Sequence, residues 1–470
     1  MTQVTAHAAI DAAVQKAAKA SAFWAESCIA VRAALLRGLA DTLEARQADL
    51  VVIADEESHL GSARLAGEIA RTAFQLRGFA EQLEAGAAHE RVIDEAIAGA
   101  PPVGRPQLTR VLRAVGPVAM FSASNFPFAF SVLGGDTASA LASGCPVVVK
   151  AHSGHPRLSK AVYKLAHQVV LAQKLPEGLL TLVEGASRGA GGYLVQHPEI
   201  KAVAFTGSYQ GGTALWRLAN ERQVPIPFFG ELGSINPLVA LPDALEADSH
   251  SLASTLAGSI TMGCGQFCTS PGVIVVLKGE STERFISQLS DALKPLQTHA
   301  MLTPSMREGF EHASSVIAQH TQTLLVGTAG TGPAPRLYRT EAEAFIATPQ
   351  LREEMFGPAA VIVEAQNLSE VEQVLGAVGG TLTTTLWGAD KDTPENRSLV
   401  RSAEQVSGRV LFKGVPTGVA VCSAQNHGGP WPASTAPQTT SVGYAALERF
   451  LRPVALQDAP AWAQEQGGTS

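Results

Sequence analysis

The sequence predicts an α/β protein in which a layer of helices precedes two units built around parallel sheets. Residues 8–90 show helical apolar spacing with charged outer faces. Short apolar runs then alternate with helical patterns, from GPVAMFSAS at 116–124 to GGTALWRLANER at 211–222. The same rhythm returns after FFGELGSINPLVAL at 228–241. Such alternation of strands and helices is typical of doubly wound parallel sheets.

Individual elements of the first unit follow from short stretches of sequence. GCPVVVKAH is a continuous apolar run, as expected for a strand that is covered on both faces. The strands around it are predicted at LTRVLRAV, GPVAMFSAS, LLTLVEG and IKAVAFTGS, and the helices at LSKAVYKLAHQVVLAQ, GAGGYLVQHP and GGTALWRLANER. In the second unit a helix is predicted through SLASTLAGSITMG, and GVIVVLKG is predicted to be a buried strand.

Composition restricts the classes of protein that this chain can represent. Its 470 residues predict two or three domains, and 46% hydrophobic with 16% charged residues indicates a globular chain. A net charge of −7 disfavours nucleic acid as a partner. The N-terminus has no apolar signal core, and we find no apolar run of the roughly 18 residues that a membrane helix needs. We therefore expect a cytoplasmic protein with no membrane partner.

The domain boundaries are predicted where the composition changes. AGAPPVGRPQ at 98–107 interrupts the helical pattern with prolines and glycines, and a strand pattern follows. We assign 1–91 and 114–230 to the first domain, 231–434 to the second, and 92–113 with 435–470 to an arm and tail. LRPVALQ in the tail reads as an edge strand, which would expose unpaired backbone by itself. Pairing of arm and tail across a twofold axis predicts a homodimer or homotetramer.

MGCGQFCTS at 262–270 places two cysteines four residues apart. A structural zinc site needs about four ligands, and the remaining cysteines are scattered, so we predict no metal. Five cysteines are too few for a disulfide framework and suit a reducing compartment. A lone cysteine usually packs in the core, and we assign Cys264 that role. Cys268 follows Gly265 and Gln266, where the backbone can approach a ligand, so we predict a reactive thiol there.

Three further segments could accompany a thiol nucleophile, although each also has a structural interpretation. Glu231 in FGELGSINP could act as a base or could cap a turn. Asn125 in SASNFPF could donate to an oxyanion or could hold the turn before Pro127. FTGSYQGG at 205–212 reads as a strand, a glycine turn and a helix start, which could bind a pyrophosphate. It differs from the GxGxxG fingerprint and is weak evidence by itself.

Taken together, six segments resemble the aldehyde dehydrogenase superfamily, in its order and at its spacings, over about residues 8 to 460. They are SNFPF, VVVKAHSGHP, FTGSYQGG, GELGSINP, GQFCTS and EEMFGP. The resemblance implies a Rossmann-type cofactor-binding domain at 1–91 and 114–230 and an α/β catalytic domain at 231–434. It also implies that the arm and tail form a small β oligomerisation element.

The same resemblance implies a catalytic role for three residues. Cys268 matches the nucleophile, Glu231 the general base that activates water, and Asn125 the side-chain donor to the oxyanion. The reaction would convert an aldehyde to a carboxylic acid through a cysteine thiohemiacetal and a thioester. Coenzyme-A-acylating relatives commonly lack the carboxylate, so Glu231 favours water as acyl acceptor. All three residues are present, which also disfavours a catalytically silent binding protein on this fold.

The resemblance implies a nicotinamide cofactor as well. Its predicted contacts are Lys150 at the ribose, Gly207, Ser208 and Gly212 at the pyrophosphate, and Glu354 and Phe356 at the nicotinamide end. NAD-preferring members often carry a glutamate where this chain has Ser153, and His155 lies nearby with other cations. A solvated loop is the alternative interpretation of that charge. We predict NADP as the preferred cofactor, with NAD possible.

A narrower resemblance concerns the aldehyde. NFPFAFSVLGGDTASALASGCPVVVKAHSGHP and NHGGPWPASTAP are similar to NADP-dependent 2-ketoglutarate semialdehyde (2,5-dioxopentanoate, or 2,5-dioxovalerate) dehydrogenases. The same branch contains NADP-dependent enzymes for long-chain aldehydes, so a broad-specificity enzyme is the alternative. Phe126, Phe267 and His427 are candidates for the substrate pocket, and His427 could instead be a turn histidine. A dicarboxylic semialdehyde also needs a cation, which the sequence does not locate.

Overall fold

The computed structural model describes residues 3–87, 91–185 and 188–464. The predicted layer of helices is present and contains α1 (Gln3–Glu26), α2 (Ile29–Ala45), α3 (Gln47–Ser58) and α4 (Ser62–Glu84). Leu36 and Leu39 of α2 and Leu76 of α4 belong to one buried cluster, because their spacing puts apolar side chains on one face of each helix. Within the described ranges, none of the helices combines the length and apolar character that crossing a membrane requires.

Two strands, β1 (Val92–Asp94) and β2 (Leu108–Ala114), precede the first parallel sheet in the chain and belong to a separate small sheet. Its five strands lie in the order β5-β4-β3-β6-β7, and all neighbours are parallel. They are β3 (Val118–Phe121), β4 (Val147–Lys150), β5 (Leu180–Val183), β6 (Ala202–Thr206) and β7 (Phe228–Glu231). The connecting helices are α5 (Gly135–Ala142), α6 (Pro156–Ala172), α7 (Arg188–Gln196) and α8 (Tyr209–Asn220). The strand order reverses beside β3, as in a doubly wound fold.

The second sheet has seven strands in the order β10-β11-β12-β9-β8-β13-β14, and only the β10–β11 pair is antiparallel among them. The strands are β8 (Leu238–Ala240), β9 (Val273–Leu277), β10 (Gln322–Val326), β11 (Arg336–Glu341), β12 (Ala359–Ala365), β13 (Thr381–Trp387) and β14 (Ser407–Leu411). Its helices are α9 (Pro242–Thr261), α10 (Glu280–Leu293), α11 (Pro304–Gln319), α12 (Ala342–Ala347), α13 (Leu368–Val378) and α14 (Pro394–Val406). Helices cover both faces, which explains why β9 is apolar throughout and why β12 is apolar except for Glu364, whose buried carboxylate pairs with Arg339.

A small third sheet joins the predicted arm to the tail. The last strand, β15 (Leu451–Gln457), pairs antiparallel with β2, which pairs with β1 on its other side, and α15 (Ala461–Gln464) follows. Before β15, a 3₁₀ segment at Tyr444–Phe450 packs on the first domain, since Leu447 and Phe450 are buried in the cluster of helices α2 and α4.

Candidate active site

Loops from the two parallel sheets meet at one place. Asn125 follows β3, Gly207 follows β6, and Glu231 ends β7. These strands are neighbours, so their carboxyl ends present the three residues at the edge of the sheet where open α/β folds bind ligands. Cys268 precedes β9 and Phe356 precedes β12, so the second sheet contributes residues from loops at the amino ends of its strands.

A cavity of about 450 Å³ lies between these loops. Seven of the residues predicted from sequence line it: Asn125, Gly207, Ser208, Glu231, Cys268, Glu354 and Phe356. Phe126 and Phe267, which adjoin Asn125 and Cys268 in the chain, contact each other edge to face with ring centroids 5.2 Å apart. The structure therefore brings together the thiol, carboxylate and amide side chains of Cys268, Glu231 and Asn125, which lie in separate segments of the sequence.

The loop that carries Cys268 has an unusual backbone. Gly263, Cys264 and Gly265 all have positive φ angles, of 56°, 61° and 66°. A side chain at Gly265 would place its Cβ 2.2 Å from the carbonyl carbon of Gly357, so only glycine fits. Cys264 is fully buried in the core of the second sheet, in agreement with its predicted packing role. The tight turn brings Cys268 from the end of α9 into the cavity.

Asn236 fixes the same loop from below and is a residue that sequence reasoning missed. Its fully buried amide donates from Nδ2 to the carbonyl oxygens of Cys268, at 2.8 Å, and Ser270, at 3.0 Å. Its Oδ1 accepts hydrogen bonds from the hydroxyls of Ser234, at 2.8 Å, and Thr383, at 3.2 Å. The sequence signal for a structural role was the position of this asparagine directly before Pro237 in the GELGSINP segment. The carbonyl groups that it binds lie more than thirty residues away in the chain, so the local sequence did not reveal them.

Asn125 is held beside the nucleophile by two contacts. Its Nδ2 donates to the carbonyl oxygen of Gln266 at 3.0 Å, and its own carbonyl accepts from Arg64 Nη2 at 2.7 Å. Gln266 is itself fully buried, and its side chain is satisfied there. Its Nε2 donates to the carbonyl oxygen of Gly263, and its Oε1 accepts from the backbone N–H of Leu302. A carboxamide nitrogen carries two N–H groups, so the bond to Gln266 uses one of the two donors of Asn125.

Both oxygens of the Glu231 carboxylate accept hydrogen bonds from the C-terminal part of the chain. His427 Nε2 lies 3.0 Å from Oε1, and Ser441 Oγ donates to Oε2 at 2.6 Å. His427 Nε2 also lies 3.6 Å from Cys268 Sγ. His427 was predicted to line the pocket, but its side chain is 1% exposed and packs behind the carboxylate. Ser441 was missed, since nothing in the local sequence connects it with Glu231.

The charges of the thiol and the carboxylate follow from these contacts. Burial raises the pKa of Cys268 well above its usual value, and the charges of Glu231 and Glu354 act in the same direction. Burial would also raise the pKa of Glu231, but His427, Ser441 and Cys268 together hold that pKa below its ordinary value. At neutral pH the site therefore pairs a protonated thiol with an ionised carboxylate, which is the arrangement that proton transfer to a base requires.

Four of the residues predicted for a phosphate-bearing cofactor line the cavity: Gly207, Ser208, Glu354 and Phe356. Lys150, Ser153 and Gly212 are not among the described residues that line it. Ser208 caps α8, accepting from the backbone N–H of Gly211 at 3.2 Å, and Gly212 lies in the first turn of that helix. Burial raises the pKa of Glu354 to about 8, with the Glu231 charge acting in the same direction. Lys150 Nζ donates to the carbonyl oxygens of Ala151 and Gly185.

His155 does not reach this cavity, and its assignment to the cofactor site was wrong. Its ring is 1% exposed, with Nε2 2.8 Å from the carbonyl oxygen of Ala123 and Nδ1 3.1 Å from Ser159 Oγ. Both ring nitrogens are therefore used inside the protein, where His155 precedes α6. His152 lines the cavity instead, and burial, followed by the charges of His155 and Lys150, lowers its pKa to about 4.

The charged side chains near Ser153 are also less available than the sequence indicated. Arg157 pairs with Glu56 at 2.8 Å and with Glu57 at 3.4 Å, and Lys160 lies 3.4 Å from Glu184. Ser153 itself is exposed and brings no carboxylate to this part of the site. Of the features that predicted a phosphate site here, the one that the structure leaves in place is that Ser153 carries no negative charge.

The two parallel sheets define an α/β protein with a cavity between them, and this cavity is lined by Cys268, Glu231 and Asn125. Residues 2–407 match the model of the Aldehyde dehydrogenase family, so the chain belongs to that family, as its motifs predicted. It is 42% identical to alpha-ketoglutaric semialdehyde dehydrogenase 2 of Azospirillum brasilense over 97% of this chain and 88% of that one. It is 37% identical to alpha-ketoglutaric semialdehyde dehydrogenase of Acinetobacter baylyi over 96% of this chain and 86% of that one.

Solved structures confirm the predicted fold. A 1-pyrroline-5-carboxylate dehydrogenase superposes with a TM-score of 0.81 at 19% identity, over 96% of this chain and 85% of that one. A bifunctional proline utilization A protein gives the same TM-score at 24% identity, over 97% of this chain and 45% of that one. At these identities the likeness establishes the fold of the chain.

Proposed function

We propose that this chain oxidises 2-ketoglutarate semialdehyde to 2-ketoglutarate with a nicotinamide cofactor, NADP in preference to NAD. The observation that carries the proposal is the meeting of Cys268, Glu231 and Asn125 at one cavity. The two relatives named as alpha-ketoglutaric semialdehyde dehydrogenases support the choice of aldehyde. A long-chain or broad-specificity aldehyde dehydrogenase is the second candidate, because Phe126 and Phe267 pack edge to face as an apolar wall next to Asn125 and Cys268 in the chain. Neither side chain is among the described residues that line the cavity.

The residues at the cavity fit a dinucleotide. The amino end of α8 opens into it, and helix N-termini favour phosphate groups. Lys150, Gly207 and Ser208 would hold the ribose and pyrophosphate, and Glu354 with Phe356 would hold the nicotinamide end. When bound, the cofactor accepts the hydride that turns the thiohemiacetal into a thioester. A structural relative, a 1-pyrroline-5-carboxylate dehydrogenase from Thermus, is described with bound NAD, which supports a nicotinamide cofactor here.

Carbon–sulfur bond formation begins with the thiol. Cys268 transfers its proton to Glu231, which is ionised and contacts it, and the sulfur then attacks the aldehyde carbon. The carbonyl oxygen gains negative charge, and the second N–H of Asn125 with the backbone N–H of Cys268 stabilises it. His427 holds the carboxylate in place, since its Nε2 lies 3.0 Å from Glu231 and 3.6 Å from Cys268.

Hydrolysis of the thioester uses the same carboxylate. Glu231 first releases to solvent the proton that it took from Cys268. It then takes a proton from water, and the resulting hydroxide adds to the acyl carbon. The carbon–sulfur bond breaks to release the acid, and the proton on Glu231 returns to the Cys268 sulfur. The thiol hydrogen bond helps to hold down the pKa of Glu231. Acylation removes that hydrogen bond, so the carboxylate becomes a stronger base at the step that needs one.

The substrate assignment is tested by steady-state kinetics with the purified protein. We expect NADPH formation with 2-ketoglutarate semialdehyde at a higher kcat/KM than with a panel of aliphatic and aromatic aldehydes. A preference for long or aromatic aldehydes would overturn the proposed substrate but would leave the proposed mechanism unchanged. Absence of turnover with every aldehyde and both cofactors would support a catalytically silent protein.

The preference for NADP rests on Ser153, which is exposed and leaves room for a 2′-phosphate. Ser153→Glu would introduce a carboxylate that repels this phosphate and accepts the ribose hydroxyls. We expect the variant to lose NADP activity and to gain in the ratio of NAD to NADP kcat/KM. A wild-type protein that prefers NAD would overturn the proposal directly.

We propose that each of the two parallel sheets forms the centre of one domain. We also propose that two or more copies of the chain assemble through the small third sheet. β1 and β15 form its two outer edges, and Val92 and Ile93 on β1 are 40% and 46% exposed. Exposed edge strands with apolar side chains are suited to pairing with a second copy. Sedimentation analysis should give a dimer or tetramer, and a monomeric mass at micromolar concentration would refute this.

A further inference from the structure

Two arginines of one helix border the aromatic residues beside the nucleophile. Arg64 and Arg71 are seven residues apart on α4, so they lie on the same face two turns apart. The Arg64 guanidinium lies 5.2 Å from the ring centroid of Phe126 and 4.8 Å from that of Phe267. Phe126 follows Asn125 in the chain and Phe267 precedes Cys268, so the guanidinium group is next to the residues that flank the reacting atoms.

Neither guanidinium group has its hydrogen bonds completed by the described residues. Nη2 of Arg64 donates to the carbonyl oxygen of Asn125 at 2.7 Å, and Nη2 of Arg71 donates to Val419 at 3.4 Å. Nη1 of each arginine is buried and has no hydrogen-bond partner among the residues described. Burying a charged donor without an acceptor costs folding free energy. Two such guanidinium groups on one helix face therefore indicate an anionic ligand that would accept their hydrogen bonds.

The nearest carboxylate on the same helix does not supply that acceptor. Glu68 lies between the two arginines in sequence, but its Oε1 accepts from the backbone N–H groups of Phe128 and Ala129. Within the described ranges it forms no ion pair of 4 Å or less with Arg64 or Arg71. Burial raises the pKa of Glu68, whereas the backbone N–H groups of Ala129 and Phe128 and the charges of Arg64 and Arg71 lower it. Its Oε2 is buried and has no hydrogen-bond partner among the residues described, so a single carboxylate faces two guanidinium groups. The pair of arginines therefore keeps an excess of positive charge.

The backbone makes room for one of these groups. A Cβ at Gly263 would lie 2.5 Å from Arg64 Nη1, so the glycine of the nucleophile loop leaves space for the guanidinium. A third arginine, Arg409 on β14, bonds the carbonyl oxygens of Pro416 and Gly418 and keeps a buried Nε without a described partner. The charges of Arg71 and Arg409 both act on the Cys268 thiol.

We propose that Arg64 and Arg71 form the subsite that binds the terminal carboxylate of the substrate, an inference that rests on the proposed function. An extended five-carbon chain places its carboxylate about 5 Å from the aldehyde carbon. The Arg64 guanidinium lies 4.8 Å from the ring centroid of Phe267, and Phe267 directly precedes Cys268 in the chain. The arginines select a carboxylate-bearing aldehyde, and the aromatic rings cover the carbon chain between the carboxylate and the sulfur.

The test compares 2-ketoglutarate semialdehyde with pentanal, an uncharged aldehyde of the same number of carbons. For Arg71→Gln and Arg64→Gln we expect kcat/KM for the semialdehyde to fall about 10- to 100-fold, mainly through KM. For Arg71→Gln, kcat/KM for pentanal should change less than about threefold. Arg64→Gln also removes the donor to the Asn125 carbonyl, so that variant should lose activity with both aldehydes and lose more with the semialdehyde. Arg71→Lys and Arg64→Lys should recover part of the loss, because the charge returns without the planar fork. Arg77→Gln on the same helix is the control, since Arg77 pairs with exposed Asp41 and Glu44.

A second readout does not need turnover. Glutarate should protect Cys268 from alkylation by iodoacetamide in the wild-type protein and should protect the Arg71→Gln variant much less. Equal losses for both aldehydes, with unchanged protection by glutarate, would give the arginines a structural role and overturn the subsite. A wild-type enzyme that oxidises pentanal but not the semialdehyde would refute the proposed substrate as well, so the two failures are distinguishable.

Discussion

The loop at residues 262–270 and the segment at 427–441 approach the site differently. The first carries Cys268 and is fixed by its own backbone, with three successive positive φ angles and the buried amide of Asn236 beneath it. The second carries His427 and Ser441, whose side chains contact the two oxygens of Glu231 directly. One region fixes where the sulfur lies, whereas the other fixes the charge and orientation of the base.

The position of the Cys268 sulfur and the reactivity of the Glu231 carboxylate are therefore controlled from separate parts of the chain. The backbone loop allows little variation, because a side chain at Gly265 would overlap Gly357. The contacts from the C-terminal segment consist of single side-chain hydrogen bonds, each of which contributes about 1 kcal/mol. Substitutions in the first region should therefore abolish or strongly reduce turnover, whereas those in the second should move its pH dependence.

The largest effect is expected for Cys268→Ala. Removing the nucleophile eliminates the covalent intermediate, so kcat should fall by at least about 10⁴-fold. Cys422→Ser is the control, because Cys422 is an exposed free thiol that has no place in the proposed mechanism. Steady-state assays with the semialdehyde and both cofactors measure the effect. Retention of more than a few per cent of wild-type turnover would show that another group forms the bond to the substrate.

Glu231→Gln should have the next largest effect. The amide can take a proton neither from Cys268 nor from water, so the loss of the general base, about 10²- to 10⁴-fold in kcat, falls on thiol attack as well as on deacylation. Intact-protein mass spectrometry tells which step is the slower, because acyl-enzyme accumulates only where deacylation limits turnover. Cys268 should also react faster with iodoacetamide at pH 8, because Glu231 is, after burial, the main cause of the raised thiol pKa. Unchanged alkylation rates would contradict the proposed coupling of the two groups.

Asn236→Ala tests the first region without touching a reacting group. It removes the donors to the Cys268 and Ser270 carbonyls and leaves buried hydroxyls without their acceptor, so the free energy of unfolding should fall by about 1–3 kcal/mol. Denaturant titration gives that value. Asn220→Ala is the matched control, since its amide bonds a single backbone carbonyl at an exposed helix end. Equal losses for the two variants would refute a special role for Asn236.

Ser441→Ala is expected to have the smallest effect. The hydroxyl hydrogen bond stabilises the charged form of Glu231, so its loss raises the pKa of that carboxylate. Activity that needs ionised Glu231 declines as pH falls, and this decline should begin about 0.5 to 1 pH unit higher in the variant. At pH 8 the rate should change by less than about threefold. A pH profile of kcat measures the shift, and an unshifted acid limb would exclude this role for Ser441.

The two regions also differ in how far the sequence predicts them. Cys268, Glu231 and Asn125 lie in glycine-rich or proline-rich segments beside predicted strands, so their meeting at strand ends could be inferred. His427 and Ser441 reach Glu231 across 196 and 210 residues, and local sequence contains no signal of that contact. His155 was assigned to the cofactor because it follows Lys150 closely, but closeness in sequence does not decide which side of a helix start a ring faces.

The arginines beside the aromatic wall illustrate the same limit. Arg64 and Arg71 lie in a helix whose charged residues read as an ordinary solvated face. Their burial depends on Phe126, Phe130 and Phe267, which come from two other parts of the chain. Helical periodicity predicted α4 correctly, but it could not distinguish arginines that face water from arginines that face a substrate.

Gly265 and Gly357 touch with no side chain between them. The first belongs to the loop that carries the sulfur, and the second follows Glu354 and Phe356, which we propose hold the nicotinamide. The spacing between nucleophile and hydride acceptor would therefore be set by main-chain contact and not by any choice of rotamer. A lineage could then exchange residues that select the aldehyde or tune the base while the distance between the two reaction partners stayed constant.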